Sequence, residues 1–295
     1  MNRQTKEIII KYIFLLFALV SVIVLALIVF SLFREGLPLF GHVSIKDFIF
    51  GMEWYPTYDP PSFGIFPLIV GSLIVTLIAT LIAVPLGVLA AIYISEIAPQ
   101  RIKEILKSII ELLAGLPSVV LGFFGMVIVA PWLQDTFDLP TGLNIINASV
   151  ILAIMAIPTI SSISEDALYA VPREFKEASY ALGATKFETI VQVIVPAALS
   201  GISTAVMLGM ARAIGETMVV LMVAGGAAAI PESLFDSVRP MPASIAAEMG
   251  ETPYGSAHYQ ALFAIGIVLF LLTLVFNLIA DYVAHKFKQT GSATL

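Results

Sequence analysis

At 295 residues the chain has the length of one large or two small soluble domains, but 59% of its residues are hydrophobic and only 12% charged, which excludes both. With no cysteine there are no disulfides or thiolate metal sites, and His42, His258 and His285 lie outside the apolar stretches without metal-ligand spacing. The net charge of -6 comes with no basic stripe or aromatic platform, which argues against a nucleic-acid partner.

A hydrocarbon core about 30 Å thick takes roughly 20 apolar residues in helix. Six segments meet or approach that length, near 12–33, 68–94, 112–133, 148–164, 200–229 and 259–280. The expected fold class is therefore an all-α polytopic membrane protein with six transmembrane helices. The first segment follows Arg3, Lys6 and Lys11 as a signal peptide would. It is long for that role, however, and Phe33-Arg34-Glu35 is no small-residue cleavage site, so it reads as a retained signal-anchor helix. Residues 1–67 are expected to hold this anchor and a long external loop, and 68–288 a five-helix core.

Lys and Arg number eleven in one set of alternating inter-span segments against three in the other, with Arg212 left inside a span. The positive-inside rule then places both termini, and the loop 172–196, in the cytoplasm. The external loops 34–67 and 230–258 are rich in Trp, Tyr and Pro and are expected to be irregular. Singly, those aromatics mark a membrane interface; together the two loops form a surface that could receive a soluble partner. The stretch 96–111 reads as a solvated helix with alternating charges.

Pro117 is expected to kink or start the third span, and Pro85 and Pro158 to act similarly in the second and fourth. In the fifth span Ala197, Gly201, Ala205, Gly209 and Ala213 recur every fourth residue, a stripe that lets helix backbones approach closely and puts this helix at the centre of a bundle. Arg212 and Glu216 stand four apart there, so their side chains are expected to meet on one face. Burying an Arg near mid-bilayer costs about 2.5 to 3.5 kcal/mol on insertion scales, so it should face protein or water. One reading is an ion pair that fixes packing. The other is an anion path in which Arg212 donates to an oxyanion, Glu216 holds the guanidinium when the site is empty, and Thr217 adds a hydroxyl.

The most polar stretch between spans, 172–196, reads as helix, tight turn and helix. Pro172 suits the first helical position and Glu174 the positive end of the dipole, while Phe175, Ser179 and Leu182 follow at i, i+4 and i+7. Gly183 can end the helix in the left-handed conformation, and Thr185 with Glu188 has capping-box spacing. Glu177-Ala178-Ser179, Gly183 and Val193-Ile194-Val195-Pro196 resemble the EAA loop of ABC-importer permeases, with Ser179, Val193 and Val195 as departures.

Three further stretches resemble the phosphate-specific ABC transporter permease family, most closely its C-type subunit. They are Phe63 to Ser72, Glu111 to Val120, and Ala211-Arg212-Ala213-Ile214-Gly215-Glu216-Thr217-Met218. The resemblance implies a type I ABC-importer (MetI-like) fold in the cell membrane of a prokaryote and transport of inorganic phosphate. The implied partners are an A-type sister permease, two ATP-binding subunits and an external phosphate-binding protein, besides membrane lipid. It places Arg212 and Glu216 on the phosphate path. Phe175, Glu177, Ala178, Ser179, Tyr180, Ala181, Leu182 and Gly183 become the docking surface for the ATPase. No Walker A loop is present, so the chain is expected to be no enzyme by itself, to carry no cofactor or metal, and to rely on ATP bound by a partner. An importer of molybdate, tungstate or sulfate stays open, because an Arg does not distinguish these ions. An ion-driven secondary transporter is disfavoured by six spans with one coupling loop. An intramembrane hydrolase lacks any histidine in a span.

Overall fold

The computed structural model describes residues 3–286; residues 287 and 288 of the expected core, the second of them a counted C-terminal cation, lie outside the described residues. Helix α1 (Arg3–Gly36) is followed on the side opposite the 172–196 loop by a 3-10 turn, Leu37–Gly41, and a short α2 (Ile45–Phe50) capped by Ser44. There β1 (Trp54–Tyr55) and β2 (Ser62–Phe63) form a small antiparallel hairpin with Trp54 opposite Phe63. Helix α3 (Phe66–Ile92) runs through Pro85 into a π-helical turn, Tyr93–Ile97, and α4 (Gln100–Ala114) follows.

The third span is α5 (Ser118–Phe124), a π-helical turn and α6 (Ala130–Phe137). It starts later than the expected 112–133, because Pro117, in extended conformation, caps α5 and so starts the span, while Leu112 to Ala114 close the amphipathic α4. Helix α7 (Ile145–Tyr169), begun by the Asn144 cap, runs unbroken through Pro158. The loop contributes α8 (Arg173–Ala181) and α9 (Lys186–Thr189), continued by a π-helical turn and α10 (Val195–Ala197). Next come α11 (Leu199–Ile214), α12 (Met218–Val223), α13 (Met241–Glu248) and α14 (Ala257–Lys286).

Among the described residues, five helices are long and apolar enough to cross a membrane, or six if the bent pair Lys186–Ala197 and Leu199–Ile214, joined at 68°, counts as one. The chain is thus a multi-pass membrane protein. The expected fifth span, 200–229, is not one helix: α11 stops at Ile214, and α12 gives way to irregular chain from Gly225, whose φ of +92° favours glycine. Hydropathy averages over such breaks. Nor is the segment 230–258, expected to be an irregular external loop, wholly irregular, since α13 lies within it, capped by Pro240.

The centre of the bundle is α7, with 61% of its apolar window buried against 0% for α1. It packs chiefly on α3 and α11, while α14 lies outside α11 and α1 outside α14. The small-residue stripe of α11 faces α7: a Cβ on Gly201 would stand 2.4 Å from Ala167, and one on Gly209 2.6 Å from Ile160. Helix α3 reaches the same Ile160 through Gly87. So α11 is closely packed as expected, but the central position belongs to α7. Buried polar groups lock the layers: the Asn147 amide donates to the carbonyls of Gly125 and Gly142, and Ser149 donates to that of Val75.

Candidate functional site

Arg212 sits in the last turn of α11, where its charge complements the negative end of the helix dipole. Gly215 ends that helix, and Glu216 and Thr217 form the link to α12, so the carboxylate stands just before the positive end of the next helix. No ion pair or hydrogen bond joins Arg212 to Glu216 among the described residues. The expected contact required an unbroken i to i+4 helix, and the break at Gly215 removes that register. Each charge is instead matched to its own helix end. Thr217 is turned back, its hydroxyl donating to the Gly215 carbonyl at 3.4 Å.

The two charges still share a wall. Arg212, Ala213 and Glu216 line a crevice with Leu152, Met155 and Ala156 of α7. Glu216 also borders a second crevice with Ser72 and Thr76 of α3, Val220 and Pro240. Each encloses about 10 Å³, about the least that holds one water. No open route therefore runs here through the interior of a single chain. Arg212 itself is exposed, so its guanidinium faces out of the chain. Ser72 and Thr76 escaped the sequence reading, although two hydroxyl residues four apart in an apolar span mark one helix face.

At the other end, Pro172 caps α8 rather than opening it, and Glu174 lies in the first turn. Gly183 has φ +86°, and the Thr185–Glu188 capping box is made in both directions. Phe175, Ser179 and Leu182 keep the i, i+4, i+7 spacing but differ in burial. Ser179 is buried, its hydroxyl 2.9 Å from that of Thr189, whereas Phe175 is exposed and Leu182, beyond the helix end, is 90% exposed. The serine that departs from the EAA pattern thus ties α8 to α9. Glu177, Ala178, Tyr180, Ala181 and Gly183 are all at the surface. Phe187, which the sequence reading passed over, is 75% exposed and joins Phe175, Tyr180 and Leu182 in an apolar cap.

Two sets of ion pairs fasten this end. Lys176 of α8 reaches Glu96 at 2.7 Å, linking the loop to the end of the α3 span. Lys103 and Lys107 of α4 reach Glu165 of α7 at 3.0 and 2.9 Å. The Lys107 ammonium is held above the usual lysine range by its hydrogen bond to Glu165. Helix α4 is therefore an anchored brace, not only the solvated helix its charges suggested, because its lysines are spaced to meet one carboxylate.

The bundle, with its discontinuous fifth span and a capped loop that exposes apolar side chains, is that of a transport permease, as the family match shows. The chain belongs to the family described as binding-protein-dependent transport system inner membrane component, which matches residues 83–289, and is an ABC importer permease. It is 40% identical to a probable ABC transporter permease, YqgH, of Bacillus subtilis over 97% of this chain and 94% of that one. It is 34% identical to the phosphate transport system permease protein PstC of Mesorhizobium japonicum over 93% of this chain and 89% of that one. Its fold matches a chain of a bacterial alginate ABC transporter, solved in complex with an alginate pentasaccharide-bound periplasmic protein. The TM-score is 0.67 at 15% identity, over 98% of this chain and 100% of that one.

Proposed function

We propose that this chain is the C-type permease of an ABC importer for inorganic phosphate, and that phosphate passes Arg212 at a face shared with an A-type sister permease. The observation that carries the reading is an exposed arginine at a helix break within the membrane, in a chain similar along most of its length to phosphate permeases. A guanidinium offers planar paired donors that suit an oxyanion, and the nearby Glu216 limits how tightly the anion is held. Thr217 enters the path only if its hydroxyl turns away from Gly215.

In this reading both termini and the loop 172–196 face the cytoplasm, where two ATP-binding subunits dock on the cap around Phe175, Tyr180 and Leu182. An external phosphate-binding protein delivers the anion on the opposite side. Residues 1–67 are an addition to the five-helix core of 68–288. ATP-driven closure of the partner subunits moves α8, and the bundle alternates between inward-facing and outward-facing states.

The test is ATP-dependent phosphate uptake by the assembled complex carrying Arg212→Gln. Uptake should fall at least about tenfold, as loss of a charge-assisted contact implies. Wild-type uptake would remove Arg212 from the path. Preferential uptake of sulfate or molybdate by the unaltered complex would reassign the substrate.

A further inference from the structure

On the side opposite the docking loop lies a cavity of about 580 Å³, walled by the β1 hairpin, the segment 227–229, and residues 248–258. Its walls are held together by one carboxylate. Glu248 accepts from Trp54 Nε1 at 3.0 Å, from Arg239 Nη1 at 2.6 Å and from His258 Nε2 at 2.7 Å, so three separate segments are fixed around the opening. Arg239 also donates through Nε to the Gly226 carbonyl at 2.7 Å. The one arginine of this cavity is thus already engaged.

What remains free has the opposite character. Glu251 is exposed at the wall with no partner among the described residues, which leaves two lining carboxylates against one arginine. Tyr55, which lines the cavity, stacks on Tyr58 at 4.9 Å, and the two are 46% and 65% exposed. The backbone N–H and C=O groups of Ala227, Ala228 and Ala229 make no hydrogen bond among the described residues, so one wall is an open peptide edge. The surrounding surface agrees: segments 34–65, 135–144 and 224–256 together carry ten Asp and Glu against three Lys and Arg.

We propose that this cavity is a socket for an extended segment of the external binding protein that carries a lysine or arginine. The basic side chain meets Glu251 and the tyrosine faces, and the segment's backbone pairs with 227–229. The proposal rests on the import reading above and gives its external partner a place and a chemistry. An acidic outer face also repels free phosphate, so the anion is handed over from a docked protein rather than captured from solution.

The test uses the complete complex in nanodiscs, with association of its phosphate-binding protein followed by biolayer interferometry at several salt concentrations. Glu251→Lys should weaken association by about tenfold and flatten its salt dependence. Glu251→Gln should fall between, and both variants should keep the ATPase rate measured without binding protein. Unchanged affinity and salt dependence in Glu251→Lys would overturn the socket. So would calorimetric binding of inorganic phosphate to the complex alone that Arg239→Gln abolishes, since the cavity would then be an anion site. If the unaltered complex binds no phosphate-binding protein at all, the import reading itself falls, a result distinct from a defect confined to the variant.

Discussion

Gly209 stands where a side chain has no room: its would-be Cβ lies 2.6 Å from Ile160 Cγ1, and Ile160 is 1% exposed with Gly87 of α3 on its other flank. Gly209→Val therefore cannot be absorbed by a surface rearrangement and should cost about 1–3 kcal/mol, the usual range for overpacking. The measurement is thermal inactivation of the solubilised complex, in which Gly41→Ala, with nothing within 4 Å of its Cβ, should behave as wild type. Adding Ile160→Ala to Gly209→Val should recover part of the loss. Had the stripe faced lipid, Gly209→Val would be as harmless as Gly41→Ala. Arg212 and Glu216 are separated at the same scale, because α11 ends at Gly215 and two charges four apart then no longer share a helix face.

At the scale of elements, the loop 172–196 is joined to the membrane bundle by particular contacts, and the Lys176–Glu96 pair is one that a movement of α8 would load directly. The carboxylate is largely buried and the ammonium about one-quarter exposed. Lys176→Glu should reduce transport per ATP hydrolysed while the complex still assembles. The swapped pair Glu96→Lys with Lys176→Glu should restore it, with a coupling energy of about 1 kcal/mol in a double-mutant cycle. Equal losses in the single and the swapped variants would mean that the pair transmits nothing. This link joins residues 80 positions apart, so the chain's order gave no sign of it. The Gly183 turn and the Thr185–Glu188 cap, by contrast, were legible because their causes are local. The apolar spans were legible for a similar reason, as burial in lipid leaves its mark in composition. Helix breaks were not: Gly225 looks like any glycine in an apolar run until the fold gives it a positive φ, and nothing local marks the end of α11 at Gly215. Nor was the central place of α7 evident, because Gly201 and Gly209 announce a close contact without naming the partner.

For the whole molecule, the decisive feature is that the two crevices beside Glu216 are nearly closed while Arg212 points out of the chain. In the proposed import reading, a route lined by Arg212 then runs along the outside of α11, enclosed by the sister permease. Leu208, one turn before Arg212 and 42% exposed, should line that route, whereas Leu81 on α3, 66% exposed, should face lipid. Because the chain has no cysteine, a single substitution supplies its only thiol, and labelling is read on this subunit after separation from the others. Leu208→Cys in the assembled complex should react with a water-soluble methanethiosulfonate reagent, and faster while ATP is being hydrolysed. Leu81→Cys should stay unlabelled under both conditions, since the charged reagent does not enter hydrocarbon. Equal protection at the two positions would place Leu208 against lipid or packed protein, and an anion path along that side of α11 would then have no water to run through.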